Sequence, residues 1–84
     1  MRIPTIHLNG TSADALIDQL SEAIDALAVA LRRLQDASPN ARDYYPQGPH
    51  AFTEAQAEHE ARWRAIDAVR RELDDIRERA AGIC

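Results

Sequence analysis

The chain has 84 residues, a formal net charge of −4 and a single cysteine, Cys84, at its last position. That length allows one small domain whose core is marginal unless something else supports it. The acidic balance argues against a general nucleic-acid binder, which needs a basic stripe, and one cysteine excludes an internal disulfide and points to a reducing, cytoplasmic setting.

The first ten residues predict a short extended arm. Pro4 resists a helix start and pushes Ile3 toward extended geometry. Ile6 and Leu8 alternate with His7, so one side of the arm is expected to dock on an apolar surface. The arm lacks the apolar core of a secretory leader. No run approaches the roughly 18 apolar residues of a membrane span.

A first helix is predicted over 11–38. Thr11 or Ser12 supplies the N-cap, Asp14 an acid in the first turn, and Gly10 a turn before it. Ile17, Leu20, Ile24, Leu27, Leu31 and Leu34 recur in alternating steps of three and four, a heptad seam. Leu16, Ala23, Ala28 and Ala30 widen it beyond what a two-stranded coiled coil needs, as in a helix of a larger bundle. Acids crowd the first half, and Arg32 and Arg33 lie near the end, which suits the helix dipole. Pro39 stops the helix.

A loop is predicted over 39–49, longer than most helix–helix turns. It carries Arg42, Tyr44, Tyr45, Pro46, Gly48 and Pro49. A second helix follows over 50–82. Its start lies at Pro49 with Gly48 as cap, or at Thr53 with Gln56 in a capping box. Gly82 is its expected stop. Its seam reads Ile66, Val69, Leu73, Ile76, Ala80 and Ile83, and the same rhythm extended backward gives Phe52, Ala55, His59 and Arg62.

The fold expected is therefore all-α: one antiparallel two-helix hairpin with an extended N-terminal arm, assembling into an oligomeric helical bundle. Folding the hairpin places Ile24 near Ile66 and Ile17 near Leu73. His59 and Arg62 then lie beneath the loop.

Three groups of residues carry candidate chemistry. At the loop end, Arg42, Tyr44, Tyr45, His59 and Arg62 gather beside Trp63. Arginine forks suit phosphates or carboxylates, and aromatic rings stack on planar bases. The bland reading of the same residues, which carries more weight, is a hairpin cap made by Tyr44 and Tyr45, with Arg62 paired to Glu58 or Asp36. At the other end, Asn9, Thr11 and Ser12 surround a helix N-terminus, an anion site in principle and an ordinary capped helix otherwise. An antiparallel dimer would bring the two groups together. The third, His50, Glu54, Glu58 and His59, lacks the Glu-x-x-His spacing of di-iron helices, since Gln56 stands three before His59. No nucleophile–base pairing and no phosphate-cradling glycine loop is present, so neither an enzyme nor a bound cofactor is expected.

The segments IPTIHLNGTS (3–12) and PNARDYYPQGP (39–49) resemble small helical proteins encoded by tailed phages and prophages. The resemblance covers those two segments and is generic over the helices. It implies residence in the host bacterial cytoplasm. It also implies a class that includes oligomeric sponges, which sequester nucleotide-derived immune signals. On that reading the partners are a second copy and a nucleotide-like small molecule held by Asn9, Thr11, Ser12, Arg42, Tyr44, Tyr45, His59 and Arg62. The alternative is a protein-interaction or structural adaptor acting through its bundle face, for which exposed Val29 is the only hint in the sequence.

Overall fold

The computed structural model describes residues 1–83, the side chain of Ile83 excepted. It is all-helical: α1 spans Ala13–Asp36, α2 spans Ala41–Tyr44, a 3-10 turn spans Tyr45–Gln47, and α3 spans Ala51–Ile83. No strand forms among the described residues.

α1 opens on Ser12, whose Oγ accepts a hydrogen bond from the Ala15 amide at 3.2 Å. Ser12, and not Thr11, therefore satisfies one of the free amides of the first turn. The helix closes at Ala37, whose amide reaches the Arg33 and Leu34 carbonyls, each at 3.1 Å. Ser38 follows with its amide and hydroxyl both on the Gln35 carbonyl. This tightened end, just before Pro39, is shorter than the predicted 11–38 because the last turn leaves α geometry.

The connection predicted as loop is largely helical. Asn40 caps α2 by accepting from the Arg42 amide at 3.0 Å. Pro46 sits in the 3-10 turn, where its missing amide costs nothing. Gly48, at φ 116° and ψ 171°, then reverses the chain in a region essentially reserved for glycine. α3 begins three residues later, at Ala51. The Glu54 amide bonds the His50 carbonyl at 3.0 Å, which puts Thr53 inside the first turn and leaves the predicted Thr53–Gln56 capping box unmade. At the far end α3 runs through Gly82, which adopts no positive φ and does not stop the helix.

The long helices run antiparallel. The His59 ring meets the Leu34 carbonyl, the Trp63 ring the Leu31 carbonyl, and Arg77 the Ser21 hydroxyl. α2 and the 3-10 turn pack on α3. This puts Ile66 level with the Leu27–Ala28 turn, about one turn from the expected Ile24. The α1 seam is as predicted: Ile24 and Leu31 are buried, and Ile17, Leu20, Leu27 and Leu34 are half-buried.

The α3 seam differs. Ile66, Leu73 and Ala80 face inward, but half-buried Trp63, Arg70 and Arg77 alternate with them, Trp63 and Arg77 bonding α1, while of the expected Arg62, Val69 and Ile76 only Ile76 is half-buried. Arg62 is exposed and Val69 is 49% exposed. Both sets keep a seven-residue rhythm, so periodicity does not choose between them. Turning α3 this way half-buries the large indole of Trp63, more apolar area than Val69 offers, and lets Arg77 reach α1.

A line of ion pairs follows on the same side of α3. Asp67, only 6% exposed, accepts from Arg70 at 2.8 Å and Arg71 at 2.9 Å, and Asp74 accepts from Arg77 at 2.6 Å. The arm also departs from expectation. A turn closed by the Gly10 amide on the His7 carbonyl ends the extended run, leaving Leu8 98% exposed while Ile3 and Ile6 stay half-buried. Cys84 lies outside the described residues. No helix among them is long and apolar enough to cross a membrane.

Candidate functional site

The connector end holds two shallow clefts separated by Pro39 and His59. One, of about 300 Å³, lies between the end of α1 and α3 and is floored by Trp63, with Gln35, Ser38, Gln56 and Glu60 around it. The other, of about 380 Å³, lies between the connector and α3; Tyr44, Gln47, Glu54, Glu58 and Arg62 line it together with His59.

His59 is held in place by its role in the fold. Its Nε2 lies 2.8 Å from the Leu34 carbonyl oxygen. A carbonyl only accepts, so Nε2 carries the proton. One turn on, Trp63 Nε1 donates to the Leu31 carbonyl at 3.1 Å. Both contacts satisfy polar groups that would otherwise be lost to water where the helices meet. The shared wall of the clefts is therefore rigid, whereas Arg62 is not. Its guanidinium touches Glu58 at 3.4 Å with both side chains exposed, a pairing worth little.

The structure brings together three of the eight predicted site residues: Tyr44, His59 and Arg62 share the larger cleft. Arg42 and Tyr45 belong to the same connector but line neither of these clefts. Both are exposed, Tyr45 at 77%. Asn9, Thr11 and Ser12 lie at the opposite end of α1, which at 1.5 Å per residue is about 36 Å long. Within one chain the predicted site is thus divided in two.

Charge restricts what the larger cleft can hold. Glu54 and Glu58 outnumber the single Arg62, which does not suit a polyphosphate. The sequence offered Glu54 and Glu58 as metal-ligand candidates, and Glu58 also as the acid four before Arg62 that the structure pairs with it. Among the described residues no three His, Cys, Asp or Glu side chains are placed to hold a metal ion. Trp63, expected beside the loop, floors the smaller cleft, whereas Gln35, Ser38, Pro39, Gln56 and Glu60 are wall residues that the sequence did not mark as a site.

No family model matches the chain, and no curated protein or solved structure matches it.

Proposed function

We propose that the protein is a non-enzymatic recognition protein: an antiparallel helical hairpin, assembled into an oligomeric bundle, that presents its connector to a protein partner. The observation that carries this reading is Tyr45, 77% exposed beside exposed Arg42 and Pro46 on a backbone with little freedom. The Asn40 cap, the 3-10 turn at Pro46 and the reversal at Gly48 all order the connector before any partner arrives. Tyr and Arg dominate binding energy at protein interfaces, and a pre-ordered segment loses less entropy on docking.

The test is crosslinking capture from host cells with the parent, Tyr45→Ala and Arg42→Ala. A partner held by the parent and lost by both variants, at unchanged melting temperature, supports the reading. Equal capture by all three removes it.

A second reading rests on the larger cleft, where Tyr44 offers a stacking face and His59 and Arg62 polar contacts. Together with the resemblance to phage-encoded proteins, it supports capture of a nucleotide-derived host immune signal by its base and sugar, with the phosphates held outside the acidic cleft. Asn9, Thr11 and Ser12 would join such a site only from a second copy. A thermal-shift panel of ADP-ribose, cyclic ADP-ribose isomers and cyclic di- and trinucleotides tests it. Ligand at 100 times its dissociation constant stabilises the fold by about 2.7 kcal/mol. An unmoved melting temperature across the panel removes this reading and leaves the first standing.

A further inference from the structure

The two faces of the α1–α3 pair are unlike. One carries the Asp67, Arg70, Asp74 and Arg77 pairs, closed by the Arg77–Ser21 contact. The other has no such cover. Leu20 and Leu27 of α1 and Val69 and Ile76 of α3 each repeat at a seven-residue step, and none of them is fully buried. Among the described residues only Ala13, Ile24, Leu31 and Ala80 form a buried apolar core, and no large side chain there is completely buried.

The surface area gives this a magnitude. The chain exposes 6357 Å², whereas a globular chain of 9.4 kDa exposes about 5,000 Å². Its radius of gyration is 18.4 Å, against about 12 Å for a compact domain of this length. The excess, about 1,300 Å², is more than the roughly 800 Å² that each partner gives up in a standard stable interface.

We propose that a second copy of this chain covers that face, closing a four-helix dimer through Leu20, Leu27, Val69 and Ile76. Each chain has one such face, and a self-complementary patch related by a two-fold axis closes at two copies. The polar face then remains in water, and the missing core of the single chain becomes the interior of the pair. The inference rests on the oligomeric bundle of the proposed function and not on its connector.

Sedimentation equilibrium of the full chain at micromolar concentration tests it, with Val69→Glu and Val29→Glu as matched variants. The two valines are 49% and 45% exposed in the single chain, but Val29 lies off the apolar face, beside Arg32 and Arg33. The parent and Val29→Glu are expected at twice the 9.4 kDa chain mass, and Val69→Glu at a single chain mass. The melting temperature of the parent is expected to rise with protein concentration, as it does for any obligate dimer. If Val69→Glu does not fold, Val69→Ser supplies the weaker dissociating change. A parent of single-chain mass with a concentration-independent melt overturns the proposal, as do dimeric Val69→Glu and Val69→Ser, or a stable trimer. Tyr45→Ala is expected to stay dimeric, so loss of connector binding and loss of the dimer are read separately.

Discussion

The Trp63 indole N–H donates to the Leu31 carbonyl across the two long helices at 3.1 Å. Leu31 lies inside α1, so its carbonyl takes this bond as well as its place in the helical ladder. A side chain and a backbone atom of different helices are thereby fixed to each other. One turn further on, His59 and Leu34 repeat the arrangement at 2.8 Å. These two contacts pin the register of α3 against α1.

One substitution removes the donor with little else. Trp63→Phe keeps most of the apolar ring and leaves the Leu31 carbonyl with its helical partner. The expected loss is about 0.5–1.5 kcal/mol. For a domain of this size each kcal/mol moves the melting temperature by about 4–8 °C. A thermal melt at fixed protein concentration measures it, and an unchanged melt would show that the bond contributes nothing.

Ser12 and Thr11 make a second comparison. Only Ser12 accepts the Ala15 amide. Ser12→Ala is expected to cost about 1 kcal/mol, and Thr11→Ala less than about 0.5 kcal/mol, as for an ordinary surface change. Thr53→Ala belongs with Thr11, because α3 does not start there. Denaturant midpoints at equal slope rank the three variants, and a larger loss at Thr11 than at Ser12 would reverse the assignment of the cap.

The glycines are expected to respond in opposite directions. Nothing lies within 4 Å of a Cβ built on Gly48, so any cost there is backbone strain at φ 116°. Gly48→Ala is expected to destabilise by about 1–3 kcal/mol. Gly82 is helical and also faces open space. Gly82→Ala is expected to be neutral or to stabilise by up to about 1 kcal/mol, since alanine loses less entropy in a helix. Calorimetry on both variants checks the pair, and the prediction fails if Gly82→Ala is the more damaging.

Asp67 is the buried carboxylate of the polar face and answers to two arginines. Both arginines can turn to water once it is gone, because Arg71 is exposed and Arg70 only half-buried. Asp67→Asn is therefore expected to cost about 1–3 kcal/mol, the scale of a lost charged hydrogen bond, and less than the 3–5 kcal/mol of a pair broken in a sealed core. Arg71→Ala, at the surface, is expected to cost less than about 1 kcal/mol. A double-mutant cycle across Asp67 and Arg71 gives the coupling directly, and equal losses from the two single changes would contradict the ranking.

Most of the elements were legible because their causes are local. The steps of three and four from Ile17 to Leu34 demand a helix whatever packs against it. Ser12, Pro39 and Gly48 act on their own backbones and their immediate neighbours. Gly82 misled for a complementary reason: a glycine near a helix end permits a stop but does not require one. The candidate site was less legible. Tyr44, His59 and Arg62 share a cleft only because the connector folds as α2 and a 3-10 turn onto α3, and Arg42 and Tyr45 leave that cleft by the same fold.

The sequence by itself determined an all-helical chain with its breaks near Gly10, Pro39 and Gly48, because periodicity, capping and proline sterics act over a few residues. Only the tertiary structure decided which side of α3 meets α1. Val69 and Ile76 fit the apolar rhythm as well as their neighbours do, and a single helix has no means of choosing between two stripes offset by one residue. The choice is made across the helix pair, where Trp63 and His59 find carbonyls on α1 and Arg77 finds Ser21. That rotation leaves Val69 at the surface and sets an apolar face opposite a charged one.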